Sequence, residues 1–399
     1  MWICTRCRAT TEQDGRVCAA CGGRIIDELS AQRLGTTVGN YRLLDVIGRG
    51  GMGTVYRGEH VYIGRPVAVK ILHAQFARYE EAVKRFLREA RAASSINHPN
   101  IVDVTDFGPT PDHGVYFVME YIEGESLEDL IARESPIALH RAINIINQLA
   151  SALGRAHELG VIHRDLKPEN VMLAARPGRR DLIRFVNVDQ EKGKFVIERE
   201  EFYDFVKILD FGIAKVLEQP DGVSGHQGAT SAGHTIAGAV FGTPEYMSPE
   251  AAQGLPVDHR SDVYSLGILF YDMLVGHVPF EAEAAADVMQ QQIHAPPVPP
   301  RLARPDAEIT DAAERLILKA LSKRPEDRQQ DMDALRAELQ RCYGSVAYRR
   351  DAQRIGVEPS PAPDTAEWTK RPTRDTNPED ALADDPTSPV LTLKKEPPG

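Results

Sequence analysis

No apolar run in this sequence is long enough to cross a bilayer as a helix, since the longest mixed stretches carry charges or histidine. The apolar segment of a secretory signal is also missing, because Met1-Trp2-Ile3-Cys4-Thr5-Arg6 turns polar within a few residues. Together these absences predict a cytoplasmic protein without a membrane span. Basic charge is in deficit: 47 Lys and Arg face 58 Asp and Glu, a net charge of −11. That balance argues against nucleic acid as a bulk electrostatic partner. Cysteine is scarce, five in 399 residues, while 42% hydrophobic and 26% charged residues are ordinary for a soluble globular chain. The length allows two or three units and a core that folds without disulfide staples.

Four of those five cysteines fall within the first 21 residues, as Cys4-x-x-Cys7 and Cys18-x-x-Cys21 separated by ten residues. Two such pairs can close a tetrahedral Zn²⁺ site, each turn aiming two sulfurs at one point. Asp14-Gly15 and Gly22-Gly23 supply tight turns between and after the pairs. The competing readings are a disulfide pair and a redox CxxC, and a reducing cytosol disfavours the first. Residues 1–24 are therefore expected to form a zinc-ribbon-like module. Cys342 stands alone and is expected to be a buried or idle thiol. Residues 25–40, polar and weakly patterned, read as a linker.

Periodic structure begins at Tyr41. Tyr41–Ile47 and Gly53–Gly58 read as strands joined by a glycine turn, with further strands at Val67–Leu72 and Val115–Glu120. Between Tyr79 and Ser94, Val83, Phe86, Leu87 and Ala90 recur at helical spacing. After Gly124 the pattern turns helical: Ile143, Ile146, Leu149, Ala150 and Leu153 make one stripe that stops at Gly160. Later helices are expected over Ser261–Leu274 and Asp311–Leu321. The whole is a two-lobe α+β pattern, β-rich first and helix-rich second. From 345 to 399 the chain is rich in Pro, Asp, Glu and Thr, and it is expected to be disordered.

Several strings carry chemistry. Gly48-Arg49-Gly50-Gly51-Met52-Gly53-Thr54-Val55 fits GxGxxGxV, and its glycines allow a hairpin to approach phosphate oxygens closely. A strand follows it, whereas a dinucleotide-binding turn would open a helix. Lys70 lies in Val67-Ala68-Val69-Lys70, with Glu89 on the next helix as its natural ion-pair partner. His163-Arg164-Asp165-Leu166-Lys167-Pro168-Glu169-Asn170 joins three jobs: Asp165 can take a proton, Lys167 can neutralise a migrating phosphoryl, and Asn170 suits Mg²⁺. Asp210-Phe211-Gly212 follows the strand Phe205–Leu209, placing Asp210 as a second metal ligand.

In this order the motifs resemble the eukaryotic-like protein serine/threonine kinases, in particular the bacterial branch. Gly50–Tyr56 and Gly242–Glu250 look most like that branch. The resemblance covers residues 41–340 and implies the two-lobe protein kinase fold, ATP with Mg²⁺ or Mn²⁺, and protein substrates. It implies a nucleotide site of Ile47 to Val55, Ala68, Lys70, Met119 as gatekeeper, Glu120 and Ile122 through their backbone, and Met172. It also implies that Thr243 hydrogen-bonds near Asp165 and Lys167, that Glu250 pairs with Arg328, and that Asp262 braces the catalytic loop. Two other classes fit parts of the pattern. A scaffold that has lost catalysis would lack one of Lys70, Asp165, Asn170 or Asp210, and all four are present. A small-molecule kinase would lack the Gly242–Glu250 peptide-docking segment.

Arg164 beside Asp165 implies, by the same resemblance, activation by phosphorylation between Gly212 and Glu250. Ser224, Thr230, Ser231 and Thr235 are available there, and Thr235 has the favoured spacing. A dimer that autophosphorylates in trans would suit such a scheme. One departure stands out: residues 174–204 are additional between Asn170 and Asp210. Leu182–Val188 and Lys194–Glu198 flank a Gln190–Gly193 turn and read as an inserted β-hairpin. The hairpin reads as surface decoration in preference to a docking site for a regulatory protein, and the cysteine module as either a protein-docking or redox-responsive unit or a folded cap with no sensory role. Thr369, Thr373 and Thr376 in the tail are further candidate phosphoacceptors.

Overall fold

The computed structural model describes residues 2–4, 6–7, 9–11, 18–22, 25–50, 53–77, 79–111, 114–174, 182–189, 194–202, 204–210 and 243–342. Over the described parts of 182–202 and at Ala74, Gln75, Glu81, Arg85 and Glu89 it describes backbone but not side chains. Gly51, Met52, Phe211-Gly212, the candidates Ser224, Thr230, Ser231 and Thr235, and the tail from 345 lie outside the described residues.

The chain opens with a small antiparallel sheet. Strand β1 (Trp2–Cys4) lies between β2 (Thr10–Thr11) and β3 (Ile25–Asp27). Helix α1 (Glu28–Arg33) follows, capped by Asp27, whose carboxylate accepts from the Ser30 amide at 2.9 Å and the Ser30 hydroxyl at 2.6 Å. Residues 25–40, expected as a linker, thus hold a strand, a helix and then β4 (Thr37–Val38), which joins the next sheet. Ile26, Ala31 and Leu34 pack into the core formed by Tyr41, Leu43, Val46 and Tyr56. A six-residue helix is too short to display a period, so docking rather than propensity fixes it.

The first lobe is a six-stranded antiparallel sheet in the order β4-β5-β6-β7-β9-β8. It comprises β5 (Tyr41–Arg49), β6 (Gly53–His60), β7 (Pro66–Leu72), β8 (Val104–Pro109) and β9 (Val115–Glu120). Tyr56, Val69, Ile71 and Val118 bury one face. The other face takes α3 (Glu80–Ser95), preceded by the short α2 (Ala74–Ala77). Phe86 of α3 is fully buried and meets Phe117 at a ring separation of 4.9 Å. Burying a side chain of that size contributes about 1.5–3 kcal/mol.

A three-residue strand, β10 (Gly124–Ser126), leads into the helical lobe through α4 (Leu127–Glu134). A capping box between Ser126 and Asp129 starts α4. In α5 (Leu139–Glu158) the stripe Ile143, Ile146, Leu149, Ala150 and Leu153 is buried, and Gly160 beyond it has φ +72°. Helix α7 (Arg260–Val275) is buried from Ser261 to Val275, which makes it the axis of the lobe. Short α6 (Pro249–Ala252) precedes it; α8 (Ala285–His294), α9 (Pro300–Ala303), α10 (Asp311–Ala320) and a last helix over 332–342 surround it.

Strands β11 (Val171–Ala174) and β14 (Phe205–Ile208) pair antiparallel, with Ala174 opposite Phe205. Between them, β12 (Leu182–Asp189) and β13 (Lys194–Phe202) pair with each other from Leu182 opposite Phe202 to Asp189 opposite Lys194. A bulge at Phe185–Val186 interrupts their register.

Candidate active site

The β5–β6 hairpin sets Gly48 opposite Val55 and Arg49 opposite Thr54. Its glycines have different reasons to be glycine. A Cβ on Gly53 would lie 2.6 Å from the Ile71 carbonyl oxygen, so packing demands the glycine. Added Cβ atoms at Gly48 and Gly50 would meet nothing nearer than 3.7 and 3.9 Å, and neither residue has a positive φ. The protein itself does not need these two glycines, and the open space they leave fits close approach of a ligand to the backbone.

Beneath the hairpin, Ile47, Val55, Ala68, Met119 and Ile122 belong to one apolar cluster, the surroundings a flat aromatic base requires. Met172 lies on β11, the strand after the catalytic loop. The carboxylate of Glu120 accepts from the Asp103 amide at 2.9 Å and from Lys207 Nζ. The Glu120 amide is engaged as well, donating to the Asp103 carbonyl at 3.0 Å. A cavity of about 410 Å³ lies against this segment, lined by Tyr121, Ile122, Ala174, Phe205 and Lys207 at the root of the inserted hairpin.

Lys70 is 7% exposed, and its Nζ lies 2.7 Å from Asp210 Oδ2. The two residues are 140 positions apart. Glu89, expected to hold Lys70, is on α3, the helix packed on this face, and its side chain lies outside the described residues. Asp210 follows Leu209, whose amide donates to the Asn170 carbonyl at 2.9 Å, so both expected metal ligands share one corner of the cleft.

Asn170 Nδ2 donates to the Asp165 carbonyl oxygen at 2.9 Å and approaches its carboxylate at 3.5 Å. Both contacts use the side-chain nitrogen of Asn170 and not its side-chain oxygen. One amide oxygen and one carboxylate form a hard-oxygen set that fits Mg²⁺ or Mn²⁺. Lys167 Nζ donates to Thr243 Oγ1 at 3.1 Å. This bond joins the catalytic loop to the segment that leads into Ser248-Pro249-Glu250.

The loop conformation is imposed from below. Arg164 has φ +65°, a region costly for any residue but glycine. Its amide and that of His163 donate to the two carboxylate oxygens of Asp262 at 2.9 and 2.8 Å. Asp262 is wholly buried, and His157 Nε2 reaches it at 2.7 Å. Burial pushes the Asp262 carboxyl up, yet His157, His163 and the Arg164 amide hold it below the usual aspartate range. His157 sits on the α5 stripe and carried no signal of this role in the sequence. Glu250 and Arg328 form a bidentate pair at 2.8 and 2.7 Å, with Arg328 also on the carbonyls of Arg260, Ser322 and Lys323. Tyr246 donates to Asp272 at 2.7 Å, a second tie of the docking segment to α7.

At the other end of the chain, the sulfurs of Cys4, Cys7, Cys18 and Cys21 all lie within 4.8 Å of one another. Cys4 and Cys21 are 3.5 Å apart and Cys7 and Cys18 3.7 Å. A disulfide needs about 2.05 Å, whereas a zinc tetrahedron with bonds of about 2.3 Å has edges near 3.8 Å. The amides of Cys7 and Arg6 both donate to Cys4 Sγ at 3.4 Å. With the Cys7 amide foremost, these donors pull the Cys4 thiol down to about 6. The donor set fits Zn²⁺.

A β-rich lobe set on a helical lobe, a glycine hairpin over a buried lysine, and a carboxylate–amide corner beside a braced loop define the two-lobed kinase class. A model of the protein kinase domain matches residues 41–339, and the chain belongs to that family. It is 42% identical over 300 residues to serine/threonine-protein kinase pkn3 of Myxococcus xanthus, covering 75% of this chain and 49% of that protein. Against PknB of Mycolicibacterium smegmatis the identity is 37% over 334 residues, covering 82% and 47%. Against PrkC of Bacillus subtilis it is 32% over 332 residues, covering 83% and 44%. The chain thus spans about half the length of the curated relatives it matches. Among solved structures, the PknI kinase domain of Mycobacterium tuberculosis aligns with a TM-score of 0.52 at 24% identity, covering 77% of this chain and 97% of that one. That likeness concerns the fold. No helix among the described residues is long and apolar enough to cross a membrane.

Proposed function

We propose that this protein is an ATP-dependent serine/threonine kinase that transfers the γ-phosphoryl group of ATP to Ser or Thr hydroxyls of proteins, itself included. The observation that carries this reading is the corner where the Lys70–Asp210 pair meets Asn170, itself bonded to Asp165. Lys70, buried beneath the glycine hairpin, binds the non-transferred phosphates. Asp165 orients the acceptor hydroxyl and takes its proton as the oxygen attacks. Lys167, held by Thr243, lies beside the transferred group and offsets its charge. Most of the rate enhancement then comes from positioning and preorganised charge. Asn170 and Asp210 would hold Mg²⁺ or Mn²⁺, which when bound supplies charge neutralisation on the phosphates.

The relatives named as serine/threonine-protein kinases support the acceptor class, as does the serine/threonine-type Lys167. On the same reading Glu89 steadies Lys70, Thr235 is the activating phosphoacceptor, and a trans-acting dimer modifies it. Cys4, Cys7, Cys18 and Cys21 hold a structural Zn²⁺, and the protein works in the cytoplasm, where thiolates stay reduced. Asp165→Asn and Lys70→Ala are each expected to lower autophosphorylation by about 10²-fold or more, with the melting temperature close to wild type. Radiolabel transfer and thermal unfolding measured on the same preparations test this, and full turnover in both variants overturns the assignment.

A further inference from the structure

The four-cysteine module reaches the nucleotide site directly. Strand β1 carries Trp2 and Cys4, and β3 sets Asp27 opposite Trp2 and Ile25 opposite Cys4. Trp2 and Asp27 therefore share one end of this two-strand unit while Cys4 occupies the other. Both converge on a single side chain of the glycine hairpin. The Arg49 guanidinium sits 4.4 Å from the centre of the Trp2 ring, and its Nε is 3.9 Å from Asp27 Oδ2. Arg49 lies between Gly48 and Gly50, the two glycines whose space the protein leaves open.

A second tie reaches the opposite strand of the hairpin. Asp27 accepts from Ser30 at the start of α1, and the buried Ser30 hydroxyl lies 3.4 Å from Thr54 Oγ1. Thr54 is the register partner of Arg49 and also bonds His73 at 3.1 Å. One module thus grips both strands of the hairpin at the same rung. Behind the grip, Ile26, Ala31 and Leu34 are anchored in the lobe core, so the module cannot shift without disturbing that packing.

We propose that Trp2 and Asp27 are positioning residues of the nucleotide-binding hairpin, and that the metal-loaded cysteine module is a clamp that holds Arg49, and through it Gly48 and Gly50, in the ATP-binding conformation. The proposal rests on the zinc reading of the four cysteines and on ATP as the nucleotide. With metal bound, β1 and β3 are fixed relative to each other and present the ring and carboxylate to Arg49. Without it, β1 has only short strand pairs to hold it, and a three-residue strand paired in this way is marginal. The hairpin then samples positions that bind ATP less well, while the catalytic loop, held by Asp262 in the other lobe, keeps its geometry.

The test uses the full chain, with zinc content measured by a colorimetric chelator and nucleotide affinity by a fluorescent ATP analogue, alongside steady-state kinetics. Trp2→Ala is expected to raise the KM for ATP and the analogue Kd by about 3- to 10-fold, the worth of one partly buried cation–π contact, with kcat within about 2-fold. Trp2→Phe, which keeps a weaker aromatic face, falls between. Zinc removal from the wild type should raise the KM by a similar factor, be reversed by added Zn²⁺, and add less in Trp2→Ala, where the ring is already gone and only the Asp27 contact is left to lose. Amide hydrogen exchange across 48–55 should speed up in the metal-free wild type. A metal-free protein whose ATP affinity and hairpin exchange match the loaded form overturns the clamp, as does zinc removal that costs Trp2→Ala as much as wild type. Failure of the kinase reading looks different: no analogue binding in any form. Failure of the zinc reading is equally distinct: no zinc in protein purified without chelator.

Discussion

At the scale of single residues, the buried pair Glu250–Arg328 shows how much one contact can decide. Arg328 has no solvent exposure in its side chain, and two bonds to Glu250 plus three carbonyl acceptors satisfy its guanidinium. Removing one partner leaves a buried charge uncompensated, at a cost of about 3–5 kcal/mol. Arg328→Ala should therefore lower the unfolding free energy by that amount in urea titrations. Arg328→Lys should recover only part of it, because an ammonium cannot match the two carboxylate oxygens at once. Stability of Arg328→Ala within about 1 kcal/mol of wild type would contradict this account. Asp262 works by another route: it holds two consecutive amides and so sustains the positive φ of Arg164 next to Asp165. Asp165 is legible from its own string, because its neighbours carry the motif, whereas Lys70 alone reads as a surface lysine and gains meaning only from the order of the motifs around it. His157, which shares Asp262, was not legible, since a histidine on an apolar helix stripe looks the same whether or not a carboxylate lies beyond it.

At the scale of elements, the longer pieces follow their patterns closely. The helix expected from Tyr79 spans Glu80–Ser95, and that expected from Ser261 spans Arg260–Val275. Period and caps act locally, so sequence reveals them. The short pieces do not: β4 has two residues and α1 six, and both exist because they dock on the sheet. The inserted β12–β13 hairpin leaves the sheet at Ala174 and returns at Phe205, which are cross-strand partners. Those ends can be joined by a tight turn. Just before the return, Asp204 is held by Arg141 at 2.7 and 2.8 Å. Replacing 175–203 with Asn-Gly while keeping Asp204 should leave kcat and the KM for ATP within about 2-fold, because a short glycine-containing loop suits such a pair of strands. A large loss of activity in that deletion, with the fold intact by circular dichroism, would give the hairpin a part in catalysis rather than in decoration or docking.

At the scale of the molecule, the cysteine module is continuous with the β-rich lobe, because Ile26 is part of the core that holds Tyr41, Leu43 and Tyr56. Metal bound only by the folded form stabilises it by mass action. A zinc chelator should thus lower the melting temperature by several degrees, and Zn²⁺ should restore it. Cys18→Ser should melt near the chelated value and respond weakly to added Zn²⁺. Equal melting of loaded and chelated wild type would separate the module from the stability of the lobe.

What the sequence determined by itself is which contiguous strings are candidates for the chemistry: the glycine hairpin, Asp165 to Asn170, Asp210 and the paired cysteines. Their spacing encodes local backbone shape, which needs no distant partner to be read. The tertiary structure alone decided the contacts made across long stretches of chain. It set Lys70 against Asp210, put His157 on Asp262, turned an expected linker into a docked strand and helix, and brought Trp2 and Asp27 to Arg49. Such contacts form through space after the core has chosen its packing, so no local pattern announces them.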